Sequence, residues 1–344
     1  MKHILIVRLS AIGDVVMASA ILPALRNTYP DARIAWLIEP VAAPLLDGHP
    51  LLDRVICWPR GHWIKLLKAG RWITLGREVS AFVGRLRAER FDAAFDLQGL
   101  LKSGIWTYLS GAPQRIGLRS SEGSQYLMTR VVERGPATRR IGAEYHRFSL
   151  ELGLDVGDFS MSMPATETAM RETNELLHEH GIRAPFIVIC PFTTRPQKHW
   201  FDEHWVRFAH AARRALNMPL VMLGGSNDRD HAARLQQQIP FVQTLAGKTT
   251  LPQTVALIAQ ARGLLGVDTG LTHLGIAQGI PTVALFGSTC PYTDTTRANA
   301  TVLYESLACS PCRRRPTCGG AFTCMAQLTP DRALLALQDM MSAV

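Results

Sequence analysis

The chain has 344 residues, 47% hydrophobic and 19% charged, with a formal net charge of +9. That length exceeds one ordinary core and suits two domains, and the balance of apolar and charged residues excludes a disordered chain. No apolar stretch approaches the roughly 20 residues of a membrane span, and the opening run MKHILIVRLS is interrupted by Arg8 too early for a secretory signal, so a cytoplasmic protein is expected.

In chain order, HILIVRL (3–9) reads as a short buried strand, followed by a Ser/Gly/Asp turn and by DVVMASAILPALRNTYP (14–30), which has helical spacing. ARIAWLIEP (32–40) is a second strand and FDAAFDLQG (91–99) another. Between them, CWPRGHWIKLLKAGRW (57–72) interleaves Arg60, Lys65, Lys68 and Arg71 with Trp58, Trp63 and Trp72. Two readings of it stay open: a solvated helix with its tryptophans toward the core, or a dock for a phosphorylated glycolipid at a membrane surface.

The same grammar restarts in the second half. PFIVICPF (185–192) is a strand, FDEHWVRFAHAARRAL (201–216) a helix and PLVMLGG (219–225) a strand, with LIAQARGLLGVDTG and IPTVALFG completing the set. Apolar strands alternating with helices predict parallel sheets covered on both faces. The polar, proline-containing GDFSMSMPATETAMRE (157–172) separates the patterns, giving domains 1–165 and 166–344. The expected class is α/β, two Rossmann-like, doubly wound parallel-sheet domains facing a cleft.

Charge is uneven. Residues 1–165 carry 21 Lys/Arg against 15 Asp/Glu, and residues 166–344 carry 16 against 13, which suggests an acidic partner for the first half. A nucleic acid is disfavoured, since no helix-turn-helix, zinc-finger or RNP signature occurs.

The first turn, RLSAIGD, has Gly13 alone and lacks G-x-G-x-x-G, and no G-x-x-x-x-G-K-[ST] occurs; both features argue against a nicotinamide enzyme and a P-loop NTPase. A sugar nucleotide fits the second domain better. PFTTRPQKHW places Thr193, Thr194 and Lys198 between a strand and a helix, and SNDRD offers Asp228 or Asp230 to a ribose. GVDTGLTHLG places Asp268, Thr269, Gly270 and His273 where a strand meets a helix whose free N–H groups suit a diphosphate.

RLSAIGD (8–14), TTRPQKHW (193–200) and VDTGLTHL with GIPTVALFG (267–287), in that order, resemble the ADP-heptose:lipopolysaccharide heptosyltransferases, inverting glycosyltransferases of GT-B fold. The resemblance spans nearly the whole chain and implies metal-independent transfer of heptose from ADP-heptose to the lipopolysaccharide inner core. By that similarity Asp14 is the catalytic base, Lys198 the donor-phosphate lysine, and Thr193, Thr194, Asp268, Thr269, Gly270 and His273 donor contacts. Ser10, Gly13, Arg60, Lys65, Lys102 and Arg119 fall on the acceptor side. The implied partners are ADP-heptose, a phosphorylated lipid A/Kdo acceptor and, peripherally, the cytoplasmic face of the inner membrane. The alternatives are a binding protein that holds a nucleotide sugar without turning it over and a related glycosyltransferase that uses a different sugar donor or acceptor.

One stretch departs from the type I heptosyltransferase pattern. CSPCRRRPTCGGAFTC (309–324) holds Cys309, Cys312, Cys318 and Cys324. Such density in a cytoplasmic chain points either to a structural zinc or iron ion or to free thiols.

Overall fold

The computed structural model describes residues 1–136, 138–289 and 291–343. These form two compact units, one of residues 1–136 with 142–162 and the other of 138–141 with 163–343.

In the first unit, β1 (His3–Val7), β2 (Arg33–Ile38), β3 (Arg54–Cys57), β4 (Ala93–Asp96), β5 (Gln114–Leu118) and β6 (Arg130–Val132) make one parallel sheet ordered β3-β2-β1-β4-β5-β6. Its helices are α1 (Ile12–Ala18), α2 (Ile21–Thr28), α3 (Arg60–Lys68), α4 (Trp72–Ala88), α5 (Leu101–Leu109) and α6 (Ala143–Glu151).

The second unit repeats the plan. It begins with α7 (Glu167–Glu179), capped by the Thr166 hydroxyl. Then follow β7 (Ile187–Cys190), α8 (Asp202–Leu216), β8 (Leu220–Met222), α9 (Arg229–Gln238), β9 (Gln243–Thr244), α10 (Leu251–Ala259), β10 (Gly263–Val267), α11 (Gly270–Gln278), β11 (Thr282–Phe286), β12 (Ala300–Tyr304), α12 (Thr323–Ala326) and α13 (Pro330–Ser342). Its sheet runs β9-β8-β7-β10-β11-β12, all parallel. Counted from each unit's first strand, both orders are 3-2-1-4-5-6, the doubly wound order. It reverses between β1 and β4 in one unit and between β7 and β10 in the other.

The apolar runs are explained by burial on both faces. Every residue of β4, β7, β10 and β11 is buried, so none of these strands needs a polar side. The strands that sequence reading left out, β3, β5, β6, β9 and β12, are shorter or partly exposed and carry mixed residues. The helix expected over 14–30 is two helices. Pro23 has no N–H to give the Ser19 carbonyl one turn back, so the helix stops and restarts with Pro23 in the first turn of α2.

Close packing fixes one strand to the helix that follows it. A Cβ added at Gly266 would lie 2.2 Å from Thr272 Oγ1 and 3.0 Å from Cys190 Cβ, because α11 sits directly on β10. Gly266→Ala is expected to cost about 1–3 kcal/mol by overpacking. A denaturation midpoint equal to the parent's would show that α11 can move away freely.

Candidate active site

In the first unit the chain reverses beyond β1 and β4, and the C-terminal ends of these strands shape a cavity of about 340 Å³. Asp96 ends β4 fully buried, its Oδ1 accepting the N–H groups of Gln98 and Gly99 at 3.0 Å. Burial pushes its carboxyl above the ordinary range despite those bonds. The Gln98 side chain accepts the Leu9 N–H at 2.9 Å, so the turn after β4 is tied to the turn after β1.

Asp14 lies in the first turn of α1 and lines the cavity. Its Oδ2 lies 2.6 Å from Arg8 NH2, and the Ala11 N–H approaches that same oxygen at 3.4 Å. Oδ1 has no protein partner among the described residues, and the side chain is 42% exposed. Arg8 is buried, which fixes the carboxylate from beneath. Lys102 Nζ is 3.0 Å from Glu39 Oε1 and 3.4 Å from Ser10 Oγ, and Arg60 reaches the other Glu39 oxygen at 3.9 Å. Glu39 thus gathers Lys102 and Arg60, and Lys102 links them to Ser10; Ser10 and Lys102 line the cavity with Asp14, and Gly13 is the residue before Asp14 in α1. Arg119 and Lys65 do not join them. Arg119 pairs with Glu133 at 2.9 Å with both side chains more than half exposed, and Lys65 is exposed in the last turn of α3.

Arg134 and Glu144, which no motif marked, also line this cavity and pair with each other. Together with Arg8 and Lys102 they give it a polar wall that mixes both signs of charge. Such a wall suits a polar, anionic ligand.

In the second unit the reversal lies beyond β7 and β10. Asp268, at the end of β10, is 8% exposed and its carboxylate is saturated. Lys198 Nζ is 2.6 Å from Oδ2, the Thr289 hydroxyl donates to that oxygen, and His273 Nε2 lies 3.5 Å from Oδ1. Burial alone would raise this carboxyl; the hydrogen bonds and charges of His273 and Lys198 outweigh it and hold it well below the usual carboxylate range. The Thr193 hydroxyl donates to the Asp268 carbonyl at 3.4 Å, and Thr194 is exposed.

Thr269 is the N-cap of α11, but its hydroxyl makes no capping bond, so neither it nor the first turn's N–H groups are spent on each other. Gly270 opens that helix. Lysine, helix terminus and hydroxyls therefore converge on one strand edge, the arrangement that receives phosphate. Asp228 stands apart from this group: its Oδ2 accepts the Gly225 N–H at 2.7 Å, closing the turn after β8. His273 is 3% exposed, between Asp268 and the rings of Phe286 and Tyr292. Thr289 escaped sequence reading because nothing in its own neighbourhood marks it. Only the pairing of β10 with β11 sets it beside Asp268.

Of the two readings of Cys309, Cys312, Cys318 and Cys324, the metal site is not supported. Among the described residues no group of three or more His, Cys, Asp or Glu side chains is placed to hold an ion, and neither zinc nor iron is supported. The four thiols lie near enough to act electrostatically on one another, but they differ in exposure. Cys309 is exposed, Cys324 is buried against Gly287, and Cys318 sits in a turn where the N–H groups of Phe322, Gly320 and Ala321 hold its thiol below the usual range. Backbone contacts pin the loop instead. The Arg313 N–H donates to the Ser288 carbonyl, Ser310 Oγ to the Gly287 carbonyl, and Gln197 Nε2 to the Arg313 carbonyl at 3.1 Å.

The two readings of the tryptophan-rich segment divide between its residues. Trp58 and Trp63 are core, packed on Trp106 and, for Trp63, Phe82, whereas Trp72 is 65% exposed. No helix among the described residues is long and apolar enough to cross a membrane.

Residues 79–321 match the sequence profile of glycosyltransferase family 9 (heptosyltransferase). The chain is 28% identical to lipopolysaccharide heptosyltransferase 1 of Pseudomonas aeruginosa, over 99% of this chain and 98% of that protein. It is 26% identical to lipopolysaccharide heptosyltransferase 2 of Salmonella typhimurium, over 98% of each. The solved structure of the Escherichia coli heptosyltransferase WaaC with ADP-2-deoxy-2-fluoro heptose superposes with a TM-score of 0.72, at 23% identity and with 98% of this chain and 99% of that one covered. The fold is the GT-B fold.

Proposed function

The chain belongs to glycosyltransferase family 9, the heptosyltransferases, and from that premise we propose that it moves heptose from ADP-heptose to the lipopolysaccharide inner core, onto Kdo–lipid A or heptosyl-Kdo–lipid A. The first unit takes the acceptor and the second takes the donor. The observation that carries the donor reading is the Lys198 ammonium, 2.6 Å from the buried Asp268 carboxylate and close to the uncapped N-terminus of α11. A fixed cation beside free N–H groups is what a diphosphate requires.

In the proposed reaction an acceptor hydroxyl oxygen attacks the anomeric carbon while the bond from that carbon to the diphosphate oxygen breaks on the opposite face, which inverts the centre. The hydroxyl proton passes to Asp14 Oδ1, the carboxylate oxygen left open by Arg8. The charge that grows on departing ADP is met by Lys198, one of whose three protons is engaged by Asp268 while the others remain for phosphate. Thr193, Thr194, Thr269 and Gly270 line the donor, Asp228 serves its ribose from the turn after β8, and Asp268 acts through Lys198 and His273, which it positions. Ser10, Gly13, Arg60 and Lys102 serve the acceptor near Asp14, with Lys65 and Arg119 as outer contacts for its phosphates. Because the acceptor is a lipid, the enzyme works peripherally on the cytoplasmic face of the inner membrane.

The test is release of ADP from ADP-heptose with and without a Kdo–lipid A acceptor. Acceptor-dependent release supports the proposal. Tight donor binding without release would make the chain a nucleotide-sugar-binding protein, and release only with another sugar nucleotide would reassign the donor. Lys198→Ala is expected to lower kcat/KM by about 10- to 100-fold, the worth of a charge-assisted bond, with kcat and donor KM both affected. Unchanged rates at saturating and at limiting donor would remove Lys198 from the site.

A further inference from the structure

The corner between α3 and α4 has an exposed face whose composition goes beyond the acceptor contacts proposed for Arg60 and Lys65 and which the core does not use. From residue 54 to residue 77 there is no acidic side chain, while Arg54, Arg60, Lys65, Lys68, Arg71 and Arg77 fall in that span. The first acid after it, Glu78, is already engaged by the Trp63 indole N–H at 3.0 Å and by His62 at 3.1 Å. Lys65, Lys68, Arg71 and Arg77 are all exposed, and none makes an ion pair among the described residues. Three large apolar side chains stand among them, Leu67 at 43%, Trp72 at 65% and Ile73 at 76% exposure.

The corner is firmly built. The N–H groups of Ala69, Gly70 and Arg71 donate to the carbonyls of Lys65, Leu67 and Leu66, closing the end of α3, and Gly70 has the positive φ of 67° that the reversal requires. Beneath it Trp63, Leu66 and Phe82 are buried, with Leu75 and Val79 packed on them. Trp72 and Ile73 are therefore presented by a fixed scaffold, and the core has no place for them. Exposed aromatic and aliphatic side chains ringed by long cations are the pattern of a segment that seats in the headgroup layer of an anionic membrane. The apolar groups enter the acyl boundary while the Lys and Arg stems reach back to the phosphates.

We infer that the α3–α4 corner is a membrane-seating element that inserts Leu67, Trp72 and Ile73 into an anionic phospholipid surface, held there by Lys68, Arg71 and Arg77. The inference deepens the proposed lipid-acceptor reading by naming the surface that meets the bilayer. It is tested without donor or acceptor, so its failure and that of the transfer reading are separate results.

The experiment is co-sedimentation of the full chain with vesicles of phosphatidylglycerol and phosphatidylethanolamine, beside vesicles of phosphatidylcholine alone. The parent should partition onto the anionic vesicles and release as salt rises. Trp72→Ala/Ile73→Ala should weaken partition by about tenfold or more, and Lys68→Gln/Arg71→Gln/Arg77→Gln by about 100-fold. Leu335→Ala, an exposed leucine of the other unit, should change nothing. Circular dichroism melts matching the parent's would show that the variants remain folded, as expected for exposed positions. Equal partition of the parent onto both vesicle types, or variants that bind as the parent does, would overturn the inference. So would displacement by inorganic phosphate well beyond that by chloride at equal ionic strength, which would mark a small-anion pocket in place of a surface.

Discussion

Asp14→Asn is expected to lower turnover by roughly 100-fold or more while leaving ADP-heptose affinity nearly unchanged. The amide keeps an oxygen that Arg8 can hold, so the geometry at the start of α1 is preserved and the lost property is the ability to take a proton at the open oxygen. Donor affinity should survive because the donor contacts proposed above all belong to the other unit. Arg8 is buried and loses its anionic partner, so some loss of thermal stability accompanies the change and must be measured separately. The check is steady-state kinetics beside isothermal titration with ADP-heptose. A variant that kept about a tenth of the parent's turnover would deprive Asp14 of the role, since the loss of a general base costs more than that.

Asp268→Asn should damage both the fold and donor binding. The substitution leaves the Lys198 ammonium, itself only 17% exposed, beside a neutral amide, and removing one partner of a buried pair costs about 3–5 kcal/mol. The acid limb of stability should change as well. The folded carboxyl lies below its unfolded value, so its contribution is complete above the unfolded pKa of about 4 and is lost as pH falls through the lower folded value. The variant should therefore be less stable than the parent at neutral pH, with the gap closing as pH falls below about 4. Urea midpoints measured across that window decide it; a gap independent of pH would show that the carboxylate's charge is not what stabilises the site. Donor affinity should fall with Lys198 mispositioned, and Lys198→Ala/Asp268→Asn should be more stable than Asp268→Asn alone because no unpaired cation remains.

Much of this molecule is determined by local sequence. Central strands buried on both faces must be apolar throughout, so β1, β2, β4, β7, β8, β10 and β11 announce themselves, and the turns after β1, β7 and β10 carry Asp14, Lys198 and Asp268 because a parallel sheet leaves its functional groups at the strand ends. What the sequence could not determine is which groups those residues meet. That Glu39 collects Lys102 and Arg60, that Lys102 reaches Ser10, and that Thr289 and Lys198 meet on Asp268 all depend on strand order, which sets residues about 20 to 90 positions apart side by side, whereas the Arg8–Asp14 and His273–Asp268 contacts are local. The same holds for the cysteines. Their spacing alone permits a tetrahedral site, but the 309–324 loop is held on the turn after β11 by the Arg313 N–H and the Ser310 hydroxyl, and among the described residues no group of metal ligands forms there. Trp58, Trp63 and Trp72 share one short segment and one residue type, and only the packing of α3 against α5 and α4 decides that two are core and the third faces outward. Side-chain pattern is a local property and can be read along the chain, whereas pairing across a sheet and burial beneath a helix are long-range and exist only once the chain has closed on itself.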